Sequence, residues 1–306
     1  MPSSKMFPHQ PPRSHRRGRD FEKVHTDEMR ASRMAALSGK ISSGGMSDVY
    51  AGIDSESGKR IALKLAAPNN IPLELANRYI GRESAALQKL RHPNIVSYLG
   101  SGQAGGRNYL LLEFVDGESI DDRLSKGPFT WPEAKRVLNG LCDALSAAHA
   151  SGVVHADLTA SNVALARSNS GGLRPVLLDF GFVKFLDNNL NHDRTPNRDT
   201  VLGTYSYLAP EQAFSFVAPD FDHRADIYSF GVLAYRILSG RYPFKAPTPY
   251  TLLMKHLEEP PIPLTGIPGL PSEANTIVLK ALAKRPDERH QSAEELKAEL
   301  EKAPDS

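Results

Sequence analysis

Apolar and polar residues alternate along 59–66, Lys-Arg-Ile-Ala-Leu-Lys-Leu-Ala, with Ile61, Leu63 and Leu65 on one face and Ala62, Lys64 and Ala66 on the other. A period of two is the signature of a half-buried strand. A lysine flanked on its face by two alanines has room beside it for a bulky ligand. The period then changes. Ala76, Ile80, Glu83, Leu87 and Leu90 recur at helical spacing, the stripe of an amphipathic helix. Glu83 lies inside that stripe, where an unpaired carboxylate is costly. Either Lys64 neutralises it, or Glu83 sits at the edge of the stripe and reaches water. Periodicity does not choose between the two.

The later chain reads as helices. Thr130-Trp-Pro-Glu133 has the form of a capping box, with Pro132 in the first turn where its missing N–H costs least. Leu138, Leu141, Leu145 and Ala148 continue as a stripe that ends near Gly152. Residues 226–239 are apolar nearly all round, as expected of a helix in the middle of a helical lobe. Strands are predicted at Asn162–Ala166 and Pro175–Asp179, joined by a turn at 168–172. A small β-rich half followed by a larger α-rich half predicts an α+β, two-lobed protein. The expected divisions are a tail over 1–36, lobes over 37–116 and 117–300, and a short tail over 301–306.

Composition narrows the class. The 306 residues hold 37 Lys and Arg against 35 Asp and Glu, a net charge of +2 that argues against a dedicated nucleic-acid binder. The single cysteine, Cys142, can form neither an internal disulfide nor a cysteine cage for zinc, and reads as a small core residue. No apolar run reaches the ~18–20 residues of a membrane span, and the N-terminus has no apolar signal core. These features predict a soluble, cytoplasmic protein. Charge is uneven, however. Residues 1–35 hold eight Lys and Arg and four acids, and with Pro8, Pro11 and Pro12 the first twenty are expected to be disordered. Such a tail is either simply solvated or a docking arm for an acidic partner.

The candidate chemistry comes in order along the chain. Residues 41–49 read Ile-Ser-Ser-Gly-Gly-Met-Ser-Asp-Val, and glycines at a strand turn let backbone N–H groups approach phosphate oxygens. Lys64 follows on a strand and Glu83 on a helix. Residues 155–162 read His-Ala-Asp-Leu-Thr-Ala-Ser-Asn, and 179–181 read Asp-Phe-Gly after an apolar strand. An Asp, an Asn five residues later and a second Asp suit one base and two magnesium ligands around a triphosphate. Ala209-Pro210-Glu211 closes the series.

On these motifs the chain resembles the eukaryotic-type Ser/Thr protein kinases, most closely their bacterial branch, over roughly residues 37–300. The resemblance implies ATP and Mg²⁺ as cofactors, with Mn²⁺ able to replace the latter. It puts Ile41, Ser42, Ser43, Gly44, Gly45, Met46, Ser47 and Val49 at the nucleotide, with Ser43 to Val49 forming the lid over the ATP phosphates and Ala62 and Val49 sandwiching the adenine. Lys64 would hold the α/β-phosphates, positioned by Glu83. Glu113 and Val115 would bond the adenine edge through their backbones, with Leu112 behind. Asp157 would accept the substrate hydroxyl proton, and Asn162 and Asp179 would ligate magnesium. Glu211 is expected to pair with Arg289, Asp226 to tie its helix to the catalytic loop, and His155 to pack beside Phe180. The implied partners are protein substrates. The chain itself is expected to be a bare catalytic unit.

Three departures from the family pattern stand out. Ala156 replaces the arginine that pairs with a phosphorylated activation loop, so activity without phosphorylation of Thr195 or Thr200 is expected. Thr159 replaces the lysine that touches the transferring phosphate, and the later position used by tyrosine kinases is Ser161. Losing such a preorganised charge costs on the order of 10²–10³ in rate; another cation substitutes, turnover is slow, or the protein is a pseudokinase. Ser42 stands where the general pattern has glycine, which predicts either a stiffer lid or an altered nucleotide affinity. Phosphotransfer to Ser/Thr hydroxyls is the expected function, with an ATP-binding pseudokinase scaffold as the alternative. A small-molecule phosphotransferase is disfavoured by the Ala-Pro-Glu segment and the helix opening at Asp226.

Overall fold

The computed structural model describes residues 34–167, 172–185, 204–213 and 221–305. The basic tail up to residue 33, most of the 168–172 turn, Thr195 and Thr200 lie outside the described residues.

Strands β1 (Met34–Ser43), β2 (Ser47–Asp54), β3 (Arg60–Ala66), β4 (Tyr98–Ala104) and β5 (Arg107–Glu113) form one antiparallel sheet in the order β1-β2-β3-β5-β4. Its register pairs Val49 with Lys64, Ala62 with Leu112 and Lys64 with Leu110. Paired residues share a face, as do alternate residues on one strand. Val49, Ala62, Lys64, Leu110 and Leu112 therefore line one side. Tyr50, Ile61, Leu63, Leu65, Tyr109 and Leu111 form a separate buried cluster on the other.

Helix α1 (Leu73–Lys89) covers the Lys64 face and buries Ala76, Ile80, Glu83 and Leu87, the stripe read from the sequence. It follows Pro72 and carries Glu74 in its first turn and Lys89 in its last, both favourable to the helix dipole. Its first half is clamped to the β4–β5 turn. Asn77 donates to Gly106 O at 2.9 Å, while Asn108 donates from its backbone to Asn77 Oδ1 at 2.8 Å and from its side chain to Asn77 O at 2.9 Å.

Beyond β5 the chain is mainly helical. After β6 (Gly117–Ser119) and the short α2 (Ile120–Leu124) comes α3 (Trp131–Ala150). At its start Glu133 accepts from both the N–H and the hydroxyl of Thr130, each at 3.0 Å. Thr130 and Glu133 thus form the capping box read from the sequence. Leu138, Leu141, Leu145 and Ala148 are fully buried, as is Cys142. Strands β7 (Val153–Val154), β8 (Val163–Arg167), β9 (Leu173–Leu177) and β10 (Lys184–Phe185) form small antiparallel ladders, β6-β8-β9 and β7-β10. The strand expected over 175–179 ends two residues early, which releases Asp179 from the ladder.

The remaining helices are α4 (Pro210–Ala213), α5 (Arg224–Ser239), α6 (Pro249–Glu258), α7 (Ser272–Ala281) and α8 (Ala293–Lys302). Helix α5 is buried on nearly every side and ends at Gly240 in the left-handed conformation, φ 69°. Close packing against α7 needs glycine at 231, where a Cβ would lie 3.0 Å from Ala281 Cβ. The architecture is α+β in two lobes, as the sequence predicts. Among the described residues, no helix is long and apolar enough to cross a membrane.

Candidate functional site

The centre of the site is an ammonium shared by two carboxylates. Lys64 Nζ lies 2.7 Å from Glu83 Oε2, 2.9 Å from Glu83 Oε1 and 2.7 Å from Asp179 Oδ1. Glu83 is thus turned inward onto the cation, which settles the choice periodicity left open. It also accepts the Phe180 N–H at 3.2 Å, tying α1 to the Asp-Phe-Gly turn. Burial alone would lower the Lys64 pKa, but the charges of Asp179 and Glu83 outweigh it and hold the lysine protonated. Burial would likewise raise Asp179, and Lys64 with the Gly181 N–H keeps its carboxyl below the usual range.

Backbone strain marks one acid on this cation and the residue before Asp157. Asp179 has φ 38° and Ala156, next to Asp157, has φ 63°, left-handed values that side-chain-bearing residues rarely adopt. Gly181 follows because the turn folds tightly: its N–H donates to Asp179 Oδ1 at 3.0 Å, the distance at which a Cβ would also meet that oxygen.

The loop around Asp157 is built from the backbone outward. His155 is buried, and its ring packs edge-on against Phe180 at 4.8 Å. Its Nδ1 accepts the Asp157 N–H at 3.3 Å, so Nε2 carries the proton and donates to Leu178 O at 3.1 Å. Burial pushes the His155 pKa down against the charge of Asp226, keeping the ring neutral. Asn162 donates to Asp157 O at 2.9 Å and to Asp157 Oδ2 at 3.1 Å. The Asn162 amide is thus anchored on Asp157 through its nitrogen, and an amide oxygen and the Asp179 carboxylate are the kind of oxygen donors that could hold Mg²⁺. Thr159 is buried with its hydroxyl 2.9 Å from that of Ser161.

Beneath the loop, Asp226 accepts N–H bonds from His155 and Ala156 and a contact from His149 Nε2, all at 2.8 Å. Gln212 donates to Ala156 O at 3.0 Å, and the Tyr207 hydroxyl accepts from Ala160 N at 3.3 Å and from Arg236 at 2.9 Å. Glu211 and Arg289 form a two-pronged pair at 2.7 and 2.8 Å. At the end of β5, the Glu113 N–H donates to Ser97 O at 3.0 Å.

All the candidate nucleotide-binding, metal-ligating and catalytic residues are among the described residues, whereas Thr195 and Thr200 are not. The structure joins Lys64, Glu83, Asp179, Asp157 and Asn162 through the contacts above, while Val49, Ala62 and Leu112 share the adjoining sheet face. In the lid, hydrogen bonds join Ser43, Asp48 and Asn69, and Asn69 was not singled out in the sequence. Gln212, Tyr207, Arg236 and His149 were also missed; only Gln212 and Tyr207 carried a signal, standing beside the Ala-Pro-Glu segment.

A two-lobed fold with an ion-paired lysine, a strained Asp-Phe-Gly turn and an Asp–Asn loop between the lobes defines a nucleotide-dependent phosphotransferase class. Sequence comparison makes this specific: residues 36–300 match the protein kinase domain family. The chain belongs to that family. It is 36% identical over 266 residues to the serine/threonine-protein kinase pkn2 of Myxococcus xanthus, covering 84% of this chain and 31% of that protein. It is 32% identical over 263 residues to the serine/threonine-protein kinase PknB of Mycobacterium tuberculosis, covering 84% of this chain and 41% of that one. The chain thus spans roughly a third to two fifths of the length of these relatives.

Proposed function

We propose that this chain is a protein kinase that transfers the ATP γ-phosphate to Ser or Thr hydroxyls of protein substrates. The observation that carries the reading is the Lys64 ammonium held 2.7 Å from both Glu83 and Asp179. That arrangement places one fixed positive charge at the mouth of an apolar sheet face, where a triphosphate needs it. The similarity to relatives named serine/threonine-protein kinases, and the segment Gly203-Thr204-x-x-Tyr207-x-Ala209-Pro210-Glu211, support the Ser/Thr branch.

In this reading Val49, Ala62 and Leu112 pack around the adenine, and the Glu113 carbonyl and Val115 N–H bond its edge. Residues 43–49 close over the phosphates, and Lys64 holds the α/β-phosphates. Magnesium, held by Asn162 and Asp179, would screen the phosphate charge during transfer. Asp157 orients the substrate hydroxyl and takes its proton, its carboxylate fixed by Asn162. Positioning and charge neutralisation supply most of the acceleration. ATP is a cytoplasmic metabolite, which supports a cytoplasmic setting for the domain. The 36/37 and 116/117 divisions are the domain boundaries this reading uses.

The test is transfer of labelled γ-phosphate to the chain itself or to a generic protein substrate, with Asp157→Asn and Asp179→Asn as controls. Transfer by the wild type, lost in both variants and found on Ser or Thr, is the expected result. Clear ATP binding with no transfer would identify a nucleotide-sensing pseudokinase instead.

A further inference from the structure

The lid is fastened to the linker that joins β3 to α1. Ser43 donates its hydroxyl to Asp48 Oδ1 at 2.6 Å, and Lys40 Nζ lies 2.8 Å from the same oxygen. Asn69, on the linker, brings its amide into this group. Its Nδ2 lies 2.7 Å from Gly44 O, 3.1 Å from Asp48 Oδ1 and 3.3 Å from Ser43 Oγ. The same linker holds the next two lid carbonyls through its backbone: Asn70 N–H donates to Gly45 O at 3.0 Å and Ala67 N–H to Met46 O at 2.9 Å. The approach is tight at Gly45, where a Cβ would sit 3.2 Å from Asn70 Nδ2.

Three consecutive lid carbonyls therefore face residues 67–70. A planar trans peptide sets each carbonyl opposite the next N–H, so the N–H groups of Gly45, Met46 and Ser47 are turned away from the linker. The fastening thus fixes which way the lid's donors point. Asp48 is nearly fully buried, and a buried carboxylate keeps its charge only when it is paired and hydrogen-bonded. Burial by itself would raise its pKa, but the bonds from Lys40, Ser43 and Asn69 and the Lys40 charge hold it below the usual range. An exposed glycine turn without such ties would pay its ordering entropy each time it closed on a ligand.

We propose that Asn69 is a positioning residue that latches the lid before nucleotide arrives, so that its loss weakens nucleotide binding without removing a group that touches the reacting phosphate. The nucleotide half of this proposal rests on the kinase reading above. Hydrogen–deuterium exchange tests the latch without any ligand. In Asn69→Ala, amides of residues 43–48 are expected to exchange about fivefold faster, the effect of losing roughly one net hydrogen bond. Amides of α3 and α5 should be unchanged, which shows that the fold is retained.

The second readout is the dissociation constant of a fluorescent ATP analogue with Mg²⁺, expected to rise about fivefold while kcat at saturating ATP changes less than about twofold. Adding Ser43→Ala should raise it little further, because both side chains act on one cluster. Unchanged lid exchange would overturn the latch. Faster lid exchange with unchanged nucleotide affinity would overturn the positioning role. A wild type that binds no nucleotide would overturn the kinase reading instead, and the exchange result would then decide the latch by itself.

Discussion

The backbone N–H of Ala156 donates to Asp226 Oδ1 at 2.8 Å, across seventy positions of sequence. This bond secures a residue whose φ of 63° is unfavourable for a side chain with a Cβ. The other Asp226 oxygen takes the His155 N–H and His149 Nε2, and no part of the carboxylate is exposed. Replacing Asp226 by Ala leaves two buried N–H groups and the part-buried His149 Nε2 without this acceptor. Urea denaturation should show a loss of about 3 kcal/mol or more. A variant as stable as the wild type would mean that the loop conformation is held elsewhere.

The same loop predicts how activity depends on phosphorylation. Ala156 has both backbone groups engaged, by Asp226 and Gln212, and its methyl group offers no cation for a phosphate to pair with. Phosphotransfer should therefore persist in Thr195→Ala, in Thr200→Ala and after phosphatase treatment, at half the untreated rate or better. Complete loss of transfer in either variant, with the fold intact, would contradict this.

Thr159 offers a gain-of-function test. It lies two residues from Asp157, and its hydroxyl meets a neutral partner, Ser161, at 2.9 Å. A preorganised charge near a transferring group is commonly worth ~10²–10³ in rate. Thr159→Lys has to displace the Ser161 contact from a buried position, so a smaller gain of about tenfold in kcat is expected, with KM for ATP little changed. Steady-state kinetics on a protein substrate would show it, and an unchanged kcat would indicate that turnover is limited by another step.

The Lys64–Glu83 pair shows how far sequence reached into the site and where it stopped. Alternation gave the strand and its face, and the helical stripe placed a carboxylate where it needed a cation. Both signals are local and periodic. The direction in which Glu83 turned followed from packing α1 on the sheet, which no window of one element contains. Asn69 was invisible for a related reason: an asparagine in a short linker reads as ordinary turn chemistry, and its partners Ser43 and Asp48 lie across a strand pair. Asp179 left its expected strand because Lys64 and Gly181 draw its carboxylate into a strained turn. Contacts made between elements, more than the elements themselves, were what the linear pattern concealed.

His256 makes stability depend on mildly acidic pH. The ring is fully buried between Tyr228, whose hydroxyl lies 2.9 Å from Nδ1, and Phe244, whose ring centroid is 4.9 Å away. The Lys284 ammonium bonds the His256 carbonyl at 2.8 Å. Burial first, and the Lys284 charge second, push the His256 pKa down from 6.5 to about 3. Between those two values the unfolded chain binds a proton that the folded chain refuses, so stability falls as pH drops from about 6.5 towards 3 and is unaffected above. The slope from one such group is at most about 1.4 kcal/mol per pH unit. His92, His155 and His290 are also held below their usual pKa by burial and act in the same direction. His256→Asn keeps an acceptor for Tyr228 but cannot titrate, so the pH dependence of its urea midpoint between pH 7 and 5 should be shallower than that of the wild type without vanishing. Equal slopes in the two proteins would rule His256 out as a source of the acid sensitivity.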